Sequence, residues 1–197
     1  MNFLFLTKTL LFRGISEEEV KEMLGCLDAR AKIFTKGETV YRSGETVDSM
    51  GLVLSGSVNI ENDDVWGNKS ILSHVGAGHI FAETYACIPG EPLMINVTAA
   101  ENTEILFLNT ARLLETCPNS CAHHNKLIRN LLQISAQKNL ELSSRILHTS
   151  SKSIRGRLLS YFSEQAIQNG GCQFTIPFNR PGAEKNATYR KPRRAGV

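Results

Sequence analysis

Metal ligation is the first chemistry to weigh. Cys117, Cys121, His123 and His124 lie within one short stretch, and thiolates and imidazoles are the usual ligands of zinc. Their spacing matches no common zinc site, so packed thiols beside surface histidines are the simpler account. His74, His79 and Glu83 are the other candidates. A metal enzyme on a β-barrel would need clustered histidines and a carboxylate, and the His-x-His pairing is missing. The sequence shows no serine elbow, no P-loop and no paired carboxylates of distinctive spacing. It therefore predicts no catalytic residues, no metal and no cofactor, and a protein that is not an enzyme.

Charge placement is more informative. Between Phe81 and Ala111 there is no Lys or Arg. Residues 180–197 carry six of them (Arg180, Lys185, Arg190, Lys191, Arg193 and Arg194) against Glu184 alone. The whole chain has a net charge of +3, so the rest sums to −2. A basic end of this kind can contact an anionic polymer or be a solvated tail.

The elements that must position these groups come in two textures. From Gly37 to Pro92 glycines and prolines recur among short apolar runs, the pattern of strands joined by tight turns. The predicted strands are 31–34, 39–42, 49–54, 57–61, 69–74, 95–99 and 104–109. Turns this frequent, with no helix long enough for a βαβ crossover, favour a jelly-roll barrel. A short helix precedes them, with Ser16 and Glu19 as a capping box and an end near Cys26. From Pro118 to Gly156 neither glycine nor proline interrupts the chain, which predicts a helix of about thirty residues capped by Asn119 or Ser120. Its apolar positions exceed one stripe, so one face can pack on the barrel while another meets a second copy. Leu131, Leu142 and Ile146 are the residues predicted for that seam. Ser151 or Ser153 caps a second helix over 154–167, with Leu158, Leu159 and Phe162 inward and Asn169-Gly170-Gly171 ending it. A strand-like segment follows at 173–178.

The chain is 197 residues long, 42% apolar and 21% charged, ordinary for a globular protein. The uncharged stretch Ser70–Ala82 is too short and polar to span a bilayer, and the N-terminus lacks the marks of a signal peptide. Five scattered cysteines make no disulfide framework. A cytoplasmic location is expected.

The order of these pieces resembles the Crp/Fnr family of bacterial transcription regulators. Lys36-Gly-Glu38 and Ser43-Gly-Glu45 resemble its opening barrel turns. Leu52-Val-Leu-Ser-Gly-Ser-Val58 looks like its strand–turn–strand. Ser153-Ile-Arg-Gly-Arg-Leu-Leu159 and Phe174-Thr-Ile-Pro-Phe-Asn-Arg180 resemble the helix after the dimerisation helix and the entry to a winged helix-turn-helix. The resemblance implies an α+β protein in four parts: a cyclic-nucleotide-binding-like sensor barrel (1–117), a long dimerisation helix (118–150), the start of a DNA-binding domain (151–180) and a basic tail (181–197). It implies a cytosolic homodimer that binds DNA. The ligand pocket it implies holds Phe81, Ala82, Glu83, Leu93, Met94 and Ile95.

Two departures modify that expectation. In the cyclic-nucleotide branch an arginine in the barrel holds the cyclic phosphate; Glu83 matches that branch's acidic residue, but the arginine's position falls near Leu93 or Met94. A buried phosphate without a cation is costly, so the expected effector is uncharged or apolar, or the barrel has none. After Arg180 the tail, cut by Pro192, cannot form two helices and a turn, as would follow a frameshift, a truncation or divergence. The DNA-binding part is then incomplete, and the six basic residues would hold DNA weakly and without sequence preference. The alternative is a DNA-independent sensing or dimerisation module derived from the same family.

Overall fold

The computed structural model describes residues 2–63, 69–114, 122–171, 173 and 174. They divide into two units, Met1–Ala136 and Gln137–Val197.

The first unit opens with α1 (Phe3–Lys8), capped by the Asn2 side chain accepting from the Phe5 amide at 3.0 Å. The sequence pattern read this segment only as apolar. In α2 (Glu17–Cys26) the capping box forms: the Glu19 amide donates to Ser16 Oγ, and the Ser16 amide donates to Glu19 Oε2 at 2.7 Å. Those hydrogen bonds, and then the charges of His123 and Lys126, hold the Glu19 carboxyl below its usual value.

Eight strands follow: β1 (Arg30–Phe34), β2 (Thr39–Tyr41), β3 (Ser49–Ser55), β4 (Ser57–Asp63), β5 (Lys69–Gly76), β6 (Ile80–Phe81), β7 (Asn96–Ala99) and β8 (Thr103–Asn109). The seven expected strands are all present within two residues; β6, with two residues, has no detectable period. Between β6 and β7 lies α3 (Glu83–Ala86), and α4 (Thr110–Leu114) follows β8. The strands form two antiparallel sheets, ordered β1-β8-β3-β6 and β2-β7-β4-β5. Successive strands mostly alternate between sheets, which makes the jelly roll.

The first sheet buries both faces. Met50, Leu52, Leu106 and Leu108 join the helices in one core, with Leu6, Phe12, Val20 and Leu113. Val53, Ile105 and Phe107 point the other way, into the core between the sheets. The middle of β3 (50–54) and of β8 (105–108) is therefore apolar without a break, rather than at every second position. Full burial of one such side chain contributes about 1.5–3 kcal/mol, against about 1 kcal/mol for a helix cap, so the two cores dominate.

Helix α5 (Ala122–Ser150) starts in this unit. Leu127 and Leu131 are buried in the helix-side core. Asn130 Nδ2 donates to the carbonyls of Leu11 and Arg13, each at 2.9 Å, and Lys126 Nζ donates to Gly14 O at 3.2 Å. Leu131 therefore does not belong to a seam with a second copy. The apolar period of α5 is continuous, so spacing alone could not tell its barrel-facing residues from the rest. The caps expected at Asn119 and Ser120 lie outside the described residues.

In the second unit α5 ends at Ser150 and α6 (Ile154–Gln168) follows. Of the two cap candidates it is Ser153 whose side chain accepts from the Gly156 amide, at 3.0 Å. Gly170, at φ +63°, ends the helix as expected, with the Gly171 amide donating to Ala166 O at 3.0 Å. No side chain of α6 is fully buried. Leu159 and Phe162 are half-buried, but Leu158 is exposed, contrary to expectation. Among the described residues α6 has one helix to pack on, too little to cover three of its rows. Most of the strand-like segment expected at 173–178 lies outside the described residues.

Gly51 shows how tightly the first sheet closes. It pairs with Phe81, and a Cβ built on it would meet the Phe81 ring. Gly51→Ala should cost about 1–3 kcal/mol through overpacking, measured as a lower midpoint in urea unfolding; an unchanged midpoint would show that the ring moves aside freely.

Candidate functional site

The space between the two sheets is where a barrel of this kind would hold a ligand. Its lining is aromatic and aliphatic. Phe81 and Phe107 flank Tyr41, with ring centroids 6.2 Å and 5.7 Å from it, and Phe34 packs on Phe107 at 6.1 Å. All are edge-on contacts, the arrangement the ring quadrupoles favour. Val53, Val58, Val75, Val97, Ala99 and Ile105 complete the core. The Tyr41 hydroxyl donates to Ser49 O at 2.8 Å. Burial pushes the phenol well above its usual value, and the charges of Asp48 and Glu45 push it further.

The six pocket residues expected from the sequence do not stay together. Phe81, Ala82 and Ile95 belong to the core between the sheets. Ala82 sits in the left-handed region at φ +59°, at the position where the family resemblance expects glycine. Glu83 is buried at the first position of α3. Leu93 is buried by its backbone pairing: its amide donates to Glu45 O, and its carbonyl accepts from the Gly44 amide at 2.7 Å and from Ser43 Oγ at 3.2 Å. Met94 is 70% exposed and does not line the interior, which corrects the sequence expectation. The family resemblance places it there.

Every Lys and Arg among the described residues is exposed. The approach of a cation to the interior aromatics comes from β1. Lys32 pairs with Ile105, and its ammonium lies 4.5 Å from the Phe34 ring centroid. Arg30 pairs with Phe107 and is held by Asp28 at 2.8 Å. The sequence reading missed both, and the aromatic cluster with them. The signal was the alternation Arg30, Lys32, Phe34 on one face of a strand.

A cleft of about 330 Å³ lies elsewhere, lined by Asn2, Phe5, Leu54, Ser55 and Glu104. None of the expected pocket residues borders it. His74 and His79 are exposed and engaged separately, with Asn59 Oδ1 at 2.9 Å and Ala77 O at 3.2 Å. No group of three or more His, Cys, Asp or Glu is placed to hold a metal among the described residues. Cys117 and Cys121 lie outside those residues; His123 Nδ1 is 2.8 Å from Glu19. Burial, then Glu83, raises the Cys87 thiol. Arg180, Lys185, Arg190, Lys191, Arg193 and Arg194 also lie outside the described residues. No helix among those described is long and apolar enough to cross a membrane.

Comparison with known proteins agrees with this geometry. The model of the cyclic nucleotide-binding domain family matches residues 31–120. The cyclic AMP receptor protein of Thermus thermophilus is 30% identical over 98 residues, which make up 50% of this chain and 44% of that protein. The match thus spans less than half the length of that relative. Among solved structures, a cyclic nucleotide-binding domain from Methylobacillus flagellatus superposes with a TM-score of 0.63 at 25% identity, covering 77% of this chain and 84% of that one. The Thermus thermophilus catabolite activator protein gives 0.56 at 20% identity, covering 86% and 91%. The sensor domain of the regulator DNR from Pseudomonas aeruginosa gives 0.56 at 19%, covering 77% and 95%. Residues 31–120 thus match the cyclic nucleotide-binding domain family, in a chain similar to the cyclic AMP receptor protein of the Crp/Fnr regulators.

Proposed function

We propose that this chain is a Crp/Fnr-type regulator of the cytosol that acts as a homodimer, with a barrel that senses an uncharged or apolar small molecule rather than a cyclic phosphate. The observation that supports dimerisation most is the exposed apolar surface of α5. Leu132, Leu140, Leu142, Ile146 and Leu147 are each 57–68% exposed, while Leu127 and Leu131 on the same helix are buried. Exposed apolar rows at this spacing favour helix pairing. Leu142 and Ile146 stay in the proposed seam, and Leu132 takes the place of Leu131. The interior supports the effector class: an aromatic core with every described Lys and Arg exposed suits an apolar guest better than an anion.

The protein should sediment as a dimer at micromolar concentration, and Leu142→Asp, which would bury an unpaired charge in the seam, should shift it to monomer. A monomeric wild-type mass across that range would reject the reading.

For DNA, the sequence after Arg180 favours contact without base readout, with the six basic residues meeting phosphates. Affinity for palindromic and scrambled DNA should then be about equal, against ratios of about 10³ or more for specific regulators. The slope of log K against log salt should be no steeper than about −5. No binding at all would favour the DNA-independent module; strong preference for one palindrome would overturn both.

A further inference from the structure

In the second unit, α5 and α6 meet through a cluster of polar side chains centred on His148. Its Nε2 contacts Glu164 Oε2, and its Nδ1 lies 3.0 Å from Ser160 Oγ. Its ring meets Tyr161 edge-on, with centroids 5.7 Å apart. Ser144, one turn earlier on α5, lies 2.8 Å from each carboxylate oxygen of Glu164 and 3.3 Å from His148 Nε2. The His148 side chain is 18% exposed and that of Glu164 32%, so water screens the pair only in part. No side chain of α6 is fully buried, and this cluster links it to α5.

We propose that Ser144, His148, Ser160 and Glu164 form a proton-gated latch that holds α6 against the end of α5. The inference is independent of what the barrel senses and of whether the chain binds DNA.

The sign of the gating follows from the two charges. A hydrogen bond between imidazolium and carboxylate is roughly twice as strong as a neutral one. The latch is tightest where Glu164 has lost its proton and the imidazole still carries both of its own. The Ser144 hydrogen bond holds the Glu164 carboxyl below its usual value against the opposing effect of burial, and His148 adds to the lowering. The acid limb, where the carboxylate is neutralised, therefore lies below the ordinary carboxylate range. Taking the second proton from the imidazolium removes one of the two charges, so the latch loosens as pH rises. Along the chain the nearest charged residues are Arg145 on α5 and, after the helix, Lys152, both exposed. On α6 Tyr161 meets the ring, and Arg157 Nε donates to Ser151 O at 2.9 Å.

Hydrogen exchange on the full chain tests this. Protection factors of the α6 amides, corrected for intrinsic exchange, are compared at about pH 5.5 and about pH 8. The wild type should lose about fivefold in protection at the higher pH. His148→Gln and Glu164→Gln should start lower and lose the pH dependence, with the β-strand amides unchanged. Equal wild-type protection at both values, or a pH dependence that persists in His148→Gln, would overturn the latch. If α6 fails to form in those variants, the wild type alone decides by nuclear magnetic resonance. The α6 amide shifts should titrate with the same midpoint as the His148 ring proton, and different midpoints would overturn the proposal.

Discussion

A charge buried in an apolar interior without a partner costs several kcal/mol, and the barrel is arranged around avoiding that cost. Its two sheets enclose rings and branched aliphatics, with the Tyr41 hydroxyl tied to Ser49 O. Lys32 and Arg30 are on the inward face of β1, yet both remain in solvent, one over the Phe34 ring and one on Asp28. The fold is that of the cyclic nucleotide-binding domain, while Leu93 and Met94 replace the basic group that resemblance would place there. A ligand site can change its chemistry while the scaffold persists.

The first sheet gives the barrel its second task. Because β3 and β8 are apolar on both faces, the same strands close the interior and support α1, α2, α4 and the start of α5. Asn130 and Lys126 then tie α5 to the loop after α1 through its carbonyls. A shift of β3 or β8 from within the barrel would have to be accommodated by the helices on the other side. Packed cores transmit such displacements because they have few voids to absorb them.

Local signals were the legible ones. Ser16 with Glu19, Ser153, Gly170 and the turn glycines name their elements because the hydrogen bonds they make lie within four residues. Elements of two to six residues, α1, β6 and α4, carry too little period to register. The errors at the sites were tertiary. Leu131 and Leu142 are equally apolar on one helix, and only the presence of the barrel beside one of them separates core from surface. Met94 was placed by the family resemblance, and its side chain is exposed. The interior aromatics come from four different strands, and no linear pattern brings Phe34, Tyr41, Phe81 and Phe107 together.

Calorimetric titration of the purified protein with cyclic AMP tests the central claim most directly, since it asks whether the barrel accepts a cyclic phosphate. The account predicts no saturable heat at micromolar protein, because no Lys or Arg among the described residues is buried to meet the charge. A micromolar dissociation constant, about −8 kcal/mol of binding free energy, would contradict it and require a basic group brought to the interior from elsewhere.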